Sequence, residues 1–277
     1  SGEISIKLPE LPNVEYLYTE NSGSEVDSVL VGFSRAINNH YKYCVVINSS
    51  CRGPFVIGRE TTCWSRVFTE YIDLGYSMVG SSACYPRWQD EFYKRLLERP
   101  GARKTMYHVQ SYAYAISVDT LIELKNSNFL ESLRNVDERL TLINTYEIGL
   151  TAAIQDLGLK VFGLFPNFSL HQAGLKETYS WSGDYLYPGT SFGFSINPYQ
   201  VMFMKTNRNI ISRRELAMLT LQLLEARSSE FSGNWTEHLD FKIRLLEGIS
   251  GNTSKTYARI KKLFQRALYK IWSRFGA

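Results

Sequence analysis

The stretch Cys44-Val-Val-Ile-Asn-Ser-Ser-Cys-Arg-Gly-Pro-Phe55 decides how the rest of the chain is read. It opens as an apolar run, Tyr43 to Ile47, of the kind that forms a strand buried on both faces. It then stops at three short polar residues, Asn48, Ser49 and Ser50, before Arg52 and a Gly-Pro turn. Upstream, Val14 to Thr19 alternates like a strand, and Val26 to Asn38 places Val26, Val29, Leu30, Phe33 and Ile37 at helical spacing. A strand, a helix and a second strand in that order predict a right-handed crossover joining a parallel pair.

Downstream the alternation continues. Trp64 to Asp73, Glu91 to Arg99, Asp119 to Lys125 and Thr145 to Leu157 read as helices, and Tyr76 to Gly80, His108 to Ile116 and Lys160 to Phe165 as strands. Ser212 to Arg227 reads as a long helix opened by Ser212, with Glu215 at the capping-box position. Helices over residues 236–246 and 253–275 close the chain. Strands alternating with helices predict a mainly parallel α/β sheet with a helical C-terminal extension. In such sheets ligands bind at the carboxyl ends of the strands, where Glu20, Asn21 and Asn48 to Ser50 fall.

The chain has 277 residues, 44% of them hydrophobic, enough for a sizeable core. Seven of its 31 Lys and Arg residues lie between Lys255 and Arg274, with no acid among them. The remainder carries slightly more acid than base, so no nucleic-acid partner is expected. That last segment interleaves its cations with Ile260, Leu263, Phe264, Leu268, Ile271 and Trp272. It reads as a basic amphipathic helix that fits an anionic membrane surface, or packs on the domain or on a second subunit. No run is long and apolar enough to cross a membrane, and the N-terminus lacks the pattern of a signal peptide. A cytoplasmic protein is expected, with peripheral contact to the inner face of a membrane through residues 255–275. Cys44, Cys51, Cys63 and Cys84 show no zinc spacing and are expected to be reduced.

Taken together, the Glu20 to Ile37 segment, N-S-S-x-R-G-P-F, H-V-Q-S-Y, Y-E-I-G-L and the later N-P-Y-Q-V-M-F-M-K-T-N-R resemble GT-A-fold glycosyltransferases. The resemblance is to a polysaccharide-type, rhamnan-synthesis-like subgroup and spans roughly residues 14 to 210. It implies a GT-A-like catalytic domain over residues 1–210 that binds a nucleotide diphosphate sugar, followed by a helical extension over 211–277. It further implies that Glu20, Asn21, Asp27, Asn48, Ser49 and Ser50 cradle the nucleotide and its diphosphate. His108, Gln110, Ser111 and Tyr146 would face the donor sugar or the glycan acceptor. In inverting members a carboxylate at the start of a comparable helix is the general base, which implies Glu147; Asp137 and Glu138 are the alternatives.

The chain departs from that pattern at its opening feature. The family holds a divalent metal with D-x-D, where this sequence has Asn48-Ser49-Ser50. Hard cations prefer carboxylate oxygens, so no obligate metal cofactor is expected. A weakly bound divalent ion completed by Asp27 stays open. Arg52, Lys205 and Arg208 are then the groups expected to neutralise the departing diphosphate. The same residues fit a second reading, a non-catalytic glycan-binding or assembly module on a transferase scaffold.

Overall fold

The structure, a computed structural model, describes residues 14–17, 25–56, 63–134, 136, 138–165, 183–191 and 193–226. The predicted helices over 236–246 and 253–275, with the basic segment, lie outside the described residues.

Helix α1 (Glu25–Asn38) leads into β1 (Tyr43–Ile47) and a short β2 (Cys51–Arg52). Then come α2 (Arg66–Asp73), β3 (Met78–Gly80), β4 (Ala83–Cys84), α3 (Glu91–Leu97), β5 (His108–Val109) and β6 (Ala113–Ser117). After α4 (Val118–Asn126) and α5 (Phe129–Ser132), one long helix forms in three parts: α6 (Arg139–Leu142), a π-helical segment (Ile143–Ile148) and α7 (Gly149–Asp156). The described chain closes with β7 (Val161–Gly163), α8 (Pro198–Val201), β8 (Met204–Lys205) and α9 (Arg213–Ala226).

The central sheet has the order β1-β6-β3-β7. β3 and β7 are parallel, but β6 lies antiparallel between β1 and β3. The fold is therefore mixed α/β, and the expectation of a mainly parallel sheet is corrected. An apolar run signals burial on both faces, which an antiparallel strand between two helical layers shares with a parallel one. Val14 to Leu17 form no strand, so the predicted β-α-β unit at the front is not seen among the described residues.

The predicted strand His108 to Ile116 is two strands in two sheets. β5 pairs with β4, placing His108 opposite Cys84, while β6 joins the central sheet. Gly80 permits this crossing, because a Cβ there would overlap the side chain of Val109. Tyr112, in the turn before β6, and Tyr114 within it fall on opposite sides of the sheet. Tyr112 packs with Ala113, Ala115, Val79 and Phe68 of α2 on one side of the sheet. Tyr114 packs with Ile116, Met78, Leu30 of α1, Leu121 of α4 and Ile154 of α7 on the other. The result is a sheet between two helical layers, with α2 burying its apolar residues on one face and α1, α4 and α7 on the other.

Local signals explain several ends. Ser117 caps α4 by accepting the Thr120 N–H at 3.2 Å. Ser212 and Glu215 form the predicted capping box of α9, with both bonds at 3.1 Å. Among the described residues, Cys44, Cys51, Cys63 and Cys84 form no disulfide. Among the described residues no helix is long and apolar enough to cross a membrane.

Candidate functional site

Because β6 runs against its neighbours, its leading end lies at the carboxyl edge of β1, β3 and β7. Asn48 N–H bonds Tyr112 O at 2.8 Å, Ser81 N–H bonds Ala113 O at 2.8 Å, and Leu164 N–H bonds Gly80 O at 2.9 Å. Three strand ends and the Gln110 to Tyr112 turn thus converge on one edge.

At β1 the polar triplet does two things. Asn48 Oδ1 accepts the Ser50 N–H at 2.8 Å, an Asx turn that ends the strand. Asn48 Nδ2 donates to the Glu25 carboxylate at the start of α1. Ser49 is exposed at the turn, and Ser50 is half-buried. The Ser50 carbonyl accepts both the backbone N–H and the hydroxyl of Thr206 at 2.9 Å. That clamp, with the β2–β8 ladder, sets Lys205 opposite Cys51, and Lys205 Nζ lies 5.7 Å from the Tyr112 ring centroid. Arg52 is exposed, and among the described residues its guanidinium donates to its neighbour's carbonyl at 3.3 Å. Asp27 is half-buried in the first turn of α1. Glu20 and Asn21 lie outside the described residues, as does Asp137.

Deeper in, polar side chains bond one another. Ser82 Oγ donates to Gln110 Oε1 at 2.5 Å and lies 2.8 Å from the Tyr112 hydroxyl. The Gln110 amide reaches the Asp184 carboxylate, whose Oδ1 also accepts the Leu186 N–H at 2.8 Å. Arg208 Nη2 is 3.9 Å from Asp184 Oδ2. Burial pushes the Asp184 carboxyl above the ordinary range, against the opposing pull of the Leu186 N–H, Arg208 and Gln110. His108, 4% exposed, faces the same charge; burial holds its imidazole down at about 4, so it is neutral at pH 7. Its Nδ1 has no hydrogen-bond partner among the described residues.

Glu147 is half-buried on the π-helical segment. The expectation that it opens its helix is corrected, since the helix begins at Arg139. Glu138 is the cap there, its carboxylate accepting the N–H groups of Leu140 and Thr141 at 3.1 and 2.7 Å. The Thr141 hydroxyl, donating to the same carboxylate at 2.6 Å, and then those N–H groups hold the Glu138 carboxyl below its usual range. Glu147 therefore takes no help from a helix N-terminus. Its charge is felt instead at Glu25, Asp184 and Tyr187. Burial first, and then the Glu147 charge, raise the Glu25 carboxyl, while Lys205 and Asn48 oppose the shift. A π-turn inside an α-helix often accompanies a functional side chain.

Of the expected sugar-facing residues, His108 and Gln110 belong to this network. Ser111 is half-buried in the turn between β5 and β6. Tyr146 is sealed in the core at 3% exposure, its hydroxyl 2.9 Å from that of Tyr114.

Sequence reasoning passed over Glu25, Ser81, Ser82, Asp184 and Tyr187. Ser81-Ser82 had a readable signal, a polar doublet directly after a strand, as at Asn48. Asp184 had a weaker one, a lone acid in the aromatic turn Gly183-Asp-Tyr-Leu-Tyr-Pro-Gly189. Among the described residues no group of three or more His, Cys, Asp or Glu side chains is placed to hold a metal ion. Comparison with protein-family models, curated proteins and solved structures finds no match for this chain.

Proposed function

We propose that the chain is a glycosyltransferase of GT-A-like fold that moves a sugar from a nucleotide diphosphate sugar to a hydroxyl of a glycan acceptor. One observation carries the reading: the Glu147 charge is felt both at Glu25, which Asn48 and Lys205 also reach, and at Asp184, which Gln110 and Arg208 also reach. Transfer with inversion needs a carboxylate to take the acceptor proton as the oxygen attacks the anomeric carbon. It also needs cations where negative charge builds on the departing diphosphate. Glu147 is the base, because Asp184 is buried and bonded and Glu138 is occupied as a cap. Lys205 and Arg208 receive the diphosphate, with Arg52 at the exposed rim. Asn48, Ser49, Ser50 and Asp27 line the nucleotide side, where amide and hydroxyl groups suit hydrogen bonding better than metal ligation. Transfer without an obligate metal is the corresponding expectation.

A second reading, a non-catalytic glycan-binding or assembly module, gains weight from Asn48, whose side chain is already engaged by Glu25 and the Ser50 N–H. Thermal-shift titration with UDP, GDP and dTDP, with and without manganese, separates the two. Stabilisation by a nucleotide without metal supports the metal-independent transferase. Stabilisation only with manganese supports a transferase but removes metal independence. No shift with any nucleotide favours the module.

A further inference from the structure

Arg208 is held from two directions. Nη2 faces Asp184 at 3.9 Å, and Nη1 donates to the Tyr187 hydroxyl, whose ring centroid lies 4.6 Å from the guanidinium carbon. After both grips, the buried Nε has no acceptor among the described residues. A buried guanidinium N–H without an acceptor is rare in a finished fold and is satisfied when a ligand supplies the oxygen. Arg208 lies in the turn that follows Lys205, so one short segment supplies both cations. Asp184 itself is 7% exposed, with Leu186 N–H and Gln110 also on its carboxylate. Sealed in this way, it meets Arg208 rather than a ligand.

We infer that Asp184 is a positioning residue, fixing the Arg208 guanidinium so that Nε, together with Lys205 Nζ, meets an oxyanion of the diphosphate class. The identity of that anion as the diphosphate of a nucleotide sugar rests on the transferase reading; the positioning role does not.

The test is a double-mutant cycle read by calorimetric titration of inorganic pyrophosphate into the full chain. Asp184→Asn keeps an acceptor for the Leu186 N–H, so the loop is retained while the charge is lost. Asp184→Asn and Arg208→Gln are each expected to weaken pyrophosphate binding about tenfold. The double variant is expected to bind no more weakly than Arg208→Gln alone, because Asp184 acts only through Arg208. Tyr187→Phe loosens the second grip at a half-buried position and is expected to weaken binding about threefold. Independent losses in the double variant, wild-type binding by Tyr187→Phe, or no pyrophosphate binding by the wild type each overturn the inference. A parallel titration with UDP and GDP separates the sources of the anion, since a nucleotide that binds more tightly than pyrophosphate assigns the site to nucleotides. If the cycle holds but no nucleotide sugar is bound or cleaved, the transferase reading falls and the positioning role stands. If sugar is transferred but the two losses are independent, the outcome is reversed.

Discussion

Past the end of the edge strand β1, Asn48, Ser49, Ser50 and Arg52 are half-buried or exposed, and among the described residues the bonds of the Asn48 and Arg52 side chains, apart from the Asn48–Glu25 contact, go to near neighbours. Deeper in, Ser82, Gln110 and Asp184 are 0%, 3% and 7% exposed and bond one another across three separate chain segments. The difference concerns preorganisation. A buried polar network holds its shape only when its members are satisfied, so the Ser82, Gln110 and Asp184 part is formed before any ligand arrives, while Arg208 Nε is left for one. The rim keeps its groups in water and can readjust. In the proposed reaction, orientation of the charge-neutralising Arg208 comes from the interior half and access from the rim.

The contrast breaks most severely at Gly183. Its φ is +72°, and a Cβ would overlap the Tyr85 carbonyl oxygen, so the turn that delivers Asp184 requires glycine. Gly183→Ala is expected to cost about 3 kcal/mol of stability by chemical denaturation. A loss under about 1 kcal/mol would show that the interior half tolerates movement.

A pH series sharpens the same contrast. His108 has a folded-state value near 4 against an ordinary 6.5. Between those values the unfolded chain binds a proton that the folded chain excludes. His108 stabilisation is therefore lost as pH falls from about 6.5 to about 4, by as much as about 3 kcal/mol. Asp184 and Glu25 act with the opposite sign, because raised carboxyls hold their protons better in the folded state and add stability as pH falls through their folded values. His108→Gln should flatten the decline in stability between pH 6.5 and 4. A variant whose stability falls as steeply as that of the wild type would remove His108 from the sealed half.

Smaller effects follow on either side. Tyr112→Phe removes a buried hydroxyl that lies 2.8 Å from Ser82 Oγ and 3.2 Å from Ser81 Oγ, and should cost about 1–2 kcal/mol. At the rim, Arg52→Ala should leave stability within about 0.5 kcal/mol and weaken nucleotide binding only a few-fold. A greater loss of stability at Arg52 than at Tyr112 would invert the comparison.

The rim was more legible in the sequence than the interior. Tyr43 to Ile47 and its polar end were readable because an apolar run followed by short polar residues is a local pattern. The Ser212–Glu215 capping box was readable for the same reason. The direction of β6 was not, because alternation across His108 to Ile116 looks alike whether one strand forms or two. Asp184 owes its place to Gln110 and Arg208, which are distant in sequence, so only its turn could be foreseen. The sequence predicts Glu147 at a helix opening because nothing local to it announces that Glu138 caps an earlier start or that a π-turn follows.

The most direct test of the central claim is release of nucleoside diphosphate from a panel of nucleotide sugars, measured for the full chain and for Glu147→Gln without added metal. Release from at least one donor by the wild type is expected. About 10²- to 10⁴-fold slower release is expected of the variant, with donor binding unchanged. Release from no donor, or equal rates for the two proteins, would contradict that claim.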